Sequence, residues 1–168
     1  MSERAVQISV IGGATADGDA LERAEAVGRG IAEAGAVLVC GGRGGVMEAA
    51  SRGAREAGGV VIGVLPGLDP DDGNEHLTHG IATGVGHARN LAVVASGDAV
   101  IAIGGEWGTL SEIALARRLE RPVVGIETWP LRNRAGTDLG IAEAEGPNDA
   151  VARALEAAAS SGRGGELI

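Results

Sequence analysis

The sequence predicts an α/β fold of Rossmann-like, doubly wound type, with a mostly parallel sheet and helices on both faces. Two observations predict it. Five short apolar runs rich in branched residues recur along the chain with helical patterning between them, and glycine turns follow three of those runs. Runs apolar at every position suit parallel strands buried on both faces, and strands alternating with helices give the doubly wound arrangement. In such sheets ligands sit beyond the carboxyl ends of the strands, where the glycine turns fall.

Val6 to Ile11 reads as the first strand, ending in the turn Ile11-Gly12-Gly13. Asp19 with Glu22 reads as the N-cap pair of the first helix, whose apolar stripe is Leu21, Ala24, Val27, Gly28 and Ile31, with Gly35 at its C-cap. Ala36 to Cys40 is the second strand, and Cys40-Gly41-Gly42-Arg43-Gly44-Gly45 turns it into a helix striped by Val46, Ala49, Ala50, Gly53, Ala54 and Ala57, closing at Gly58. The third strand spans Val60 to Leu65. A helix with Leu91, Val94 and Ala95 on its apolar side then stops at Gly97. Ala99 to Ile103 is the fourth strand, followed by Gly104-Gly105-Glu106-Trp107-Gly108-Thr109-Leu110-Ser111-Glu112 and a helix. Pro122 to Ile126 is the fifth. Asn148 or Asp149 begins the last helix, which runs to about Ala159, and Ser160 to Glu166 reads as a frayed tail. Two longer connections, Pro66 to Gly86 and Thr128 to Gly140, are expected as lids, rims or partner surfaces.

The 168 residues, 45% of them hydrophobic, suffice for one domain over 1–168. The sequence has no Phe or Tyr and 30 glycines, so the core is expected from Val, Ile, Leu and Ala in close contact. Its formal charge of −9, with every basic residue but histidine an Arg, repels phosphate backbones and anionic lipids, which excludes nucleic acid and membrane as expected partners. A salt-rich cytoplasm and a GC-rich genome both fit that composition. Cys40 stands alone, so a reducing compartment is the simpler assumption; with no apolar run of membrane-spanning length, a cytoplasmic location is expected.

Strand, glycine turn and helix N-terminus form a site for anions, because free backbone N–H groups and the positive end of the helix dipole converge there. The three turns together place Gly12, Gly13, Gly41, Gly42, Gly45, Met47, Gly105, Trp107, Gly108 and Thr109 as candidate phosphate or nucleotide contacts. None has the full dinucleotide spacing or a phosphate-loop lysine, which disfavours an NAD dehydrogenase or an ATPase, and no cofactor is expected. Arg89 stands near a helix start, where its charge opposes the dipole unless an anion meets it, so a ligand and a surface ion pair are the two readings open. Thr109-Leu110-Ser111-Glu112 fits a capping box. Glu112 could also stand near a ribose or a developing positive charge, and the helix dipole is expected to keep it ionised. His76 and His79 lie near acids but lack a Cys and a fourth ligand, so a solvated loop is expected there and no metal.

Cys40 to Met47, then Gly63-Val64-Leu65-Pro66, His87-Ala88-Arg89 and Gly108-Thr109-Leu110-Ser111-Glu112, together resemble the LOG (Lonely Guy) family of cytokinin-nucleotide phosphoribohydrolases. Many of its members were once labelled lysine decarboxylases, and they fall within the SLOG superfamily. The resemblance covers roughly residues 5 to 126. It implies a Rossmann-like fold, Arg89 and Glu112 as catalytic residues, and Gly105, Gly108 and Thr109 as the phosphate loop. The implied reaction is hydrolysis of the N-glycosidic bond of a nucleoside 5′-monophosphate, by a homodimer or higher homo-oligomer. Relative to the family pattern P-G-G-x-G-T-x-x-E, Gly104 replaces the proline and Glu106 the second glycine, and Asn90 stands where a Lys often follows the Arg. These changes place the chain on a divergent branch. They also favour an alternative, a non-catalytic module that binds a nucleotide or a nucleotide-derived ligand.

Overall fold

The computed structural model describes residues 4–161. Seven parallel strands form one sheet: β1 (Gln7–Gly12), β2 (Val37–Cys40), β3 (Val61–Leu65), β4 (His79–Ala82), β5 (Ala99–Ile103), β6 (Val123–Ile126) and β7 (Ile141–Glu143). Their order is β4-β3-β2-β1-β5-β6-β7, so the chain winds outward from β1 in one direction and then, from β5, in the other. Successive residues of a strand face opposite sides, and the core divides accordingly. Ile8, Val10, Leu38, Cys40, Ile101 and Ile103 pack under α1 (Gly18–Glu33), α2 (Val46–Glu56) and α5 (Pro147–Ser160). Ile11, Val39, Val100 and Ala102 pack under α3 (Asn90–Ser96) and α4 (Trp107–Arg118).

The five expected strands lie where the apolar runs fall, within a residue at each end. The two long connections differ from expectation. Each carries a further strand, β4 and β7, at opposite edges of the sheet. In place of Asp19 with Glu22, Asp17 caps α1, accepting from the Ala20 N–H at 2.9 Å. Gly146 rather than Asn148 or Asp149 precedes the last helix, with Pro147 in its first turn. On α3, Val93 and Val94 are buried, whereas Leu91 is exposed. The tail expected from Ser160 to Glu166 falls, beyond Ser161, outside the described residues.

Glycine sets the spacing of α1 and α2. A Cβ on Gly28 would lie 1.9 Å from the Ala50 carbonyl oxygen, and one on Gly53 would lie 2.0 Å from that of Glu25. Only hydrogen at these two positions lets the backbones approach so closely. A rim of ion pairs flanks the contact, Arg52 to Glu25 at 2.6 Å and Arg29 to Glu56 at 3.0 Å.

Candidate functional site

β1 and β5 are neighbours, and the chain leaves them toward opposite flanks of the sheet, which is the topological switch point where doubly wound folds open a crevice. A cleft of about 370 Å³ lies there. Gly12 ends β1, Met47 comes from the first turn of α2, Arg89 precedes α3, and Gly108, Thr109 and Glu112 come from the first turns of α4; all six line the cleft. Sequence reading placed these six in one site, and the fold brings them together.

The other candidate glycines, Gly13, Gly41, Gly42, Gly45 and Gly105, lie in tight packing. A Cβ on Gly13 would strike the Glu106 carboxylate at 2.6 Å, and one on Gly41 would meet the Met47 sulfur at 2.8 Å and the Arg89 Nη2 at 2.9 Å. Gly42, with φ of +70°, lies against Leu65, and Gly45, with φ of +65°, lies against the Gly13 carbonyl oxygen. Gly105 is pressed by the Trp129 indole, whose Nε1 donates to the Glu106 carbonyl oxygen at 3.3 Å. The Trp107 side chain is 78% exposed, its ring 5.4 Å from that of Trp129. Neither these five glycines nor Trp107 is among the residues that line the cleft.

The capping box is not formed. α4 begins at Trp107, three residues earlier than that motif requires, with Glu106 as N-cap and no side-chain cap bond. The N–H groups of Trp107, Gly108 and Thr109 therefore precede the first intrahelical bond, in which Leu110 donates to the Glu106 carbonyl oxygen. The Thr109 hydroxyl is buried without a partner. Glu106 also lines the cleft, its carboxylate accepting from the Thr15 hydroxyl at 3.0 Å.

Arg89 is buried, 8% exposed, and the surface ion pair open to it on sequence grounds is not made. Its Nη2 donates to the Gly41 carbonyl oxygen at 3.2 Å, its Nη1 donates to the Asn90 side-chain oxygen, and its Nε has no partner. Burial pulls its pKa down and the negative charge of Glu112 pulls it back. A guanidinium stays protonated under either influence. Glu112 is equally buried and accepts no hydrogen bond from any described residue. Burial lifts its carboxyl to about 7 despite the opposing charge of Arg89, so the dipole does not hold it fully ionised as expected. Desolvation wins because the carboxylate lacks the N–H donors that a capping role would supply.

Sequence reading missed Arg43, His87 and Asn90, which also line the cleft together with Ala14, Pro66 and Gly86. Arg43 is exposed and makes no ion pair among the described residues. A cation enclosed by glycines in an otherwise acidic chain was the available signal. Away from the cleft, Glu48 and Glu75, rather than His79, stand with His76, their ligand atoms within 4.8 Å of one another. Among the described residues no helix is long and apolar enough to cross a membrane.

The SLOG cluster4 family matches residues 5–154. A protein of Archaeoglobus fulgidus is 45% identical over 122 residues, 73% of this chain and 80% of that one. The molybdenum cofactor binding protein of Rippkaea orientalis is 35% identical, with a TM-score of 0.83 over 92% of this chain and 98% of that one. The molybdenum cofactor carrier protein of Chlamydomonas reinhardtii is also 35% identical, with a TM-score of 0.82 over 93% and 99%. DNA processing protein A of Helicobacter pylori, 19% identical with a TM-score of 0.67, shares the fold alone. Matched over most of its length, the chain belongs to the SLOG cluster4 family.

Proposed function

We propose that this protein is a binding module that carries a phosphate-bearing pterin of the molybdenum-cofactor type in the cleft at the β1/β5 switch point. The observation that carries the reading is the buried Arg89, with a donor unused, on a cleft into which the open first turn of α4 also looks. The free amides of Trp107, Gly108 and Thr109 suit a phosphate, and a Cβ on Gly108 would meet nothing within 4 Å, so a ligand has room to approach. Arg43 adds an unpaired cation at the rim. The pterin class comes from the two molybdenum-cofactor-binding relatives, alike over nearly the whole of both chains. Glu106, which also lines the cleft, is tethered through its carboxylate to the Thr15 hydroxyl, and Arg43 and Arg89 set two cations against its charge.

One observation favours a second reading, hydrolysis of a nucleoside monophosphate as the LOG resemblance implies. Glu112 titrates near neutrality and interacts with Arg89, so it could exchange a proton at the sugar while Arg89 steadies the leaving base. In that reading water replaces the base at the ribose and the base leaves with a proton.

The test is to titrate the purified protein with molybdenum cofactor released from a molybdoenzyme, and in parallel to incubate it with purine nucleotides and assay free base. The carrier reading expects saturable binding, weakened by Arg89→Ala, and no base release. Release of base would establish the hydrolase. Failure to bind the cofactor would remove the carrier.

A further inference from the structure

Two buried side chains of the cleft keep hydrogen-bonding capacity that no described residue uses, and together they form a pattern. Arg89 offers a donor, its Nε, and Glu112 offers two acceptor oxygens that no described residue uses. Buried polar groups are ordinarily satisfied, so unused capacity at a cleft is a cost that a bound ligand relieves. Such a pair is complementary to a ring edge that reads acceptor, donor, donor.

We propose that Arg89 and Glu112 read the 2-amino-4-oxo edge of the bound heterocycle, with the Arg89 side chain donating to the ring carbonyl and the Glu112 carboxylate accepting from the ring N–H and the exocyclic amine. Pterins and guanine share this edge. Adenine lacks it, presenting one amine beside a ring nitrogen that only accepts. The proposal rests on the carrier reading for the site and adds to it the chemical feature that selects the ligand. Paired N–H donors also supply what the burial of Glu112 removes, since donors to a carboxylate favour its charged form. Arg89 then has a second role: its charge offsets that of Glu112 within a cavity walled by Met47 and Pro66. The phosphate is left to the α4 amides and Arg43, away from the carboxylate.

The test compares GMP, IMP and AMP as probes, because the three share one sugar phosphate and differ only at the edge in question. Competition titration is expected to rank GMP above IMP above AMP, with GMP favoured over AMP by at least about tenfold, the scale of one good bidentate contact. Glu112→Gln, which presents one acceptor and one donor, should bring the GMP to AMP ratio close to one, chiefly through loss of GMP affinity. A thermal melt of the variant checks that it is folded. Equal affinity for GMP and AMP, or a preference that survives Glu112→Gln, overturns the assignment and leaves the carrier reading intact if the molybdenum cofactor still binds. No binding of any of the three nucleotides overturns the assignment too, and failure of the cofactor to bind overturns the carrier reading itself.

Discussion

Glu112 couples the stability of the fold to pH. Its carboxyl is raised from an ordinary value of 4.5 to about 7, so between those two values the native chain holds a proton that the unfolded chain has released. Stability contributed by this group is therefore fully present below pH 4.5 and lost as pH rises toward and through 7. Full conversion of the shift would set the loss at about 3 kcal/mol, and we expect on the order of 2 kcal/mol once local relaxation is allowed for. Glu112→Gln mimics the protonated acid. It should match the parent protein in urea unfolding at about pH 5 and exceed it by on the order of 2 kcal/mol at pH 8; equal stability at both values would show that the carboxyl is not raised. Thr109 offers a sharper contrast. A capping Thr would lose about 1 kcal/mol on replacement, yet the Thr109 hydroxyl is buried without a partner, so Thr109→Val should leave the unfolding midpoint unchanged or raise it. At this scale the sequence identified Arg89 and Glu112 as bearers of chemistry and mistook the local role of Glu112. A helix start shifted by three residues converts a cap into a buried acid, and no pattern in Thr109-Leu110-Ser111-Glu112 fixes that shift. Arg43 was passed over because a residue between glycines reads as part of the turn.

The helices α1 and α2 depend on their glycines for contact. A methyl on Gly28 would collide with the Ala50 carbonyl oxygen, which belongs to helix backbone and cannot swing aside, so Gly28→Ala should cost about 3 kcal/mol or more and lower Tm markedly. Gly35→Ala is the control. Its Cβ would meet nothing, and only the positive φ of +72° is strained, so about 1 kcal/mol is expected. Equal losses at the two positions would deny the helix contact its importance. Both Gly28 and Gly53 already stood in the apolar stripes of the sequence, since a helix repeats its buried face every three to four residues whatever the side chain size. β4 and β7 were invisible for the opposite reason. His79-Gly80-Ile81-Ala82 and Ile141-Ala142-Glu143 lie at the sheet edges, are at most half-buried, and carry no apolar run that a parallel strand would announce.

Across the whole molecule, five apolar runs and three glycine turns were enough to foretell the doubly wound sheet, because strand burial and crossover geometry leave few other ways to assemble them. The place of the cleft follows from strand order, and strand order depends on long-range pairing that no local pattern states. Charge sets the partners at this scale. Although the fold is shared with a DNA processing protein, a formal charge of −9 should prevent retention of single-stranded oligonucleotides even at low salt, as an electrophoretic shift assay would show. Retention there would require a basic track that the described cations do not form. The central claim is that the β1/β5 cleft holds a phosphate-bearing heterocycle between the α4 N-terminus and the Arg89 and Glu112 pair. The most direct measurement is a crystal structure of the protein with bound GMP. Phosphate is expected on the amides of Trp107 to Thr109 and the ring against Arg89 and Glu112; a nucleotide seated elsewhere, or phosphate lying on Glu112, would contradict that claim.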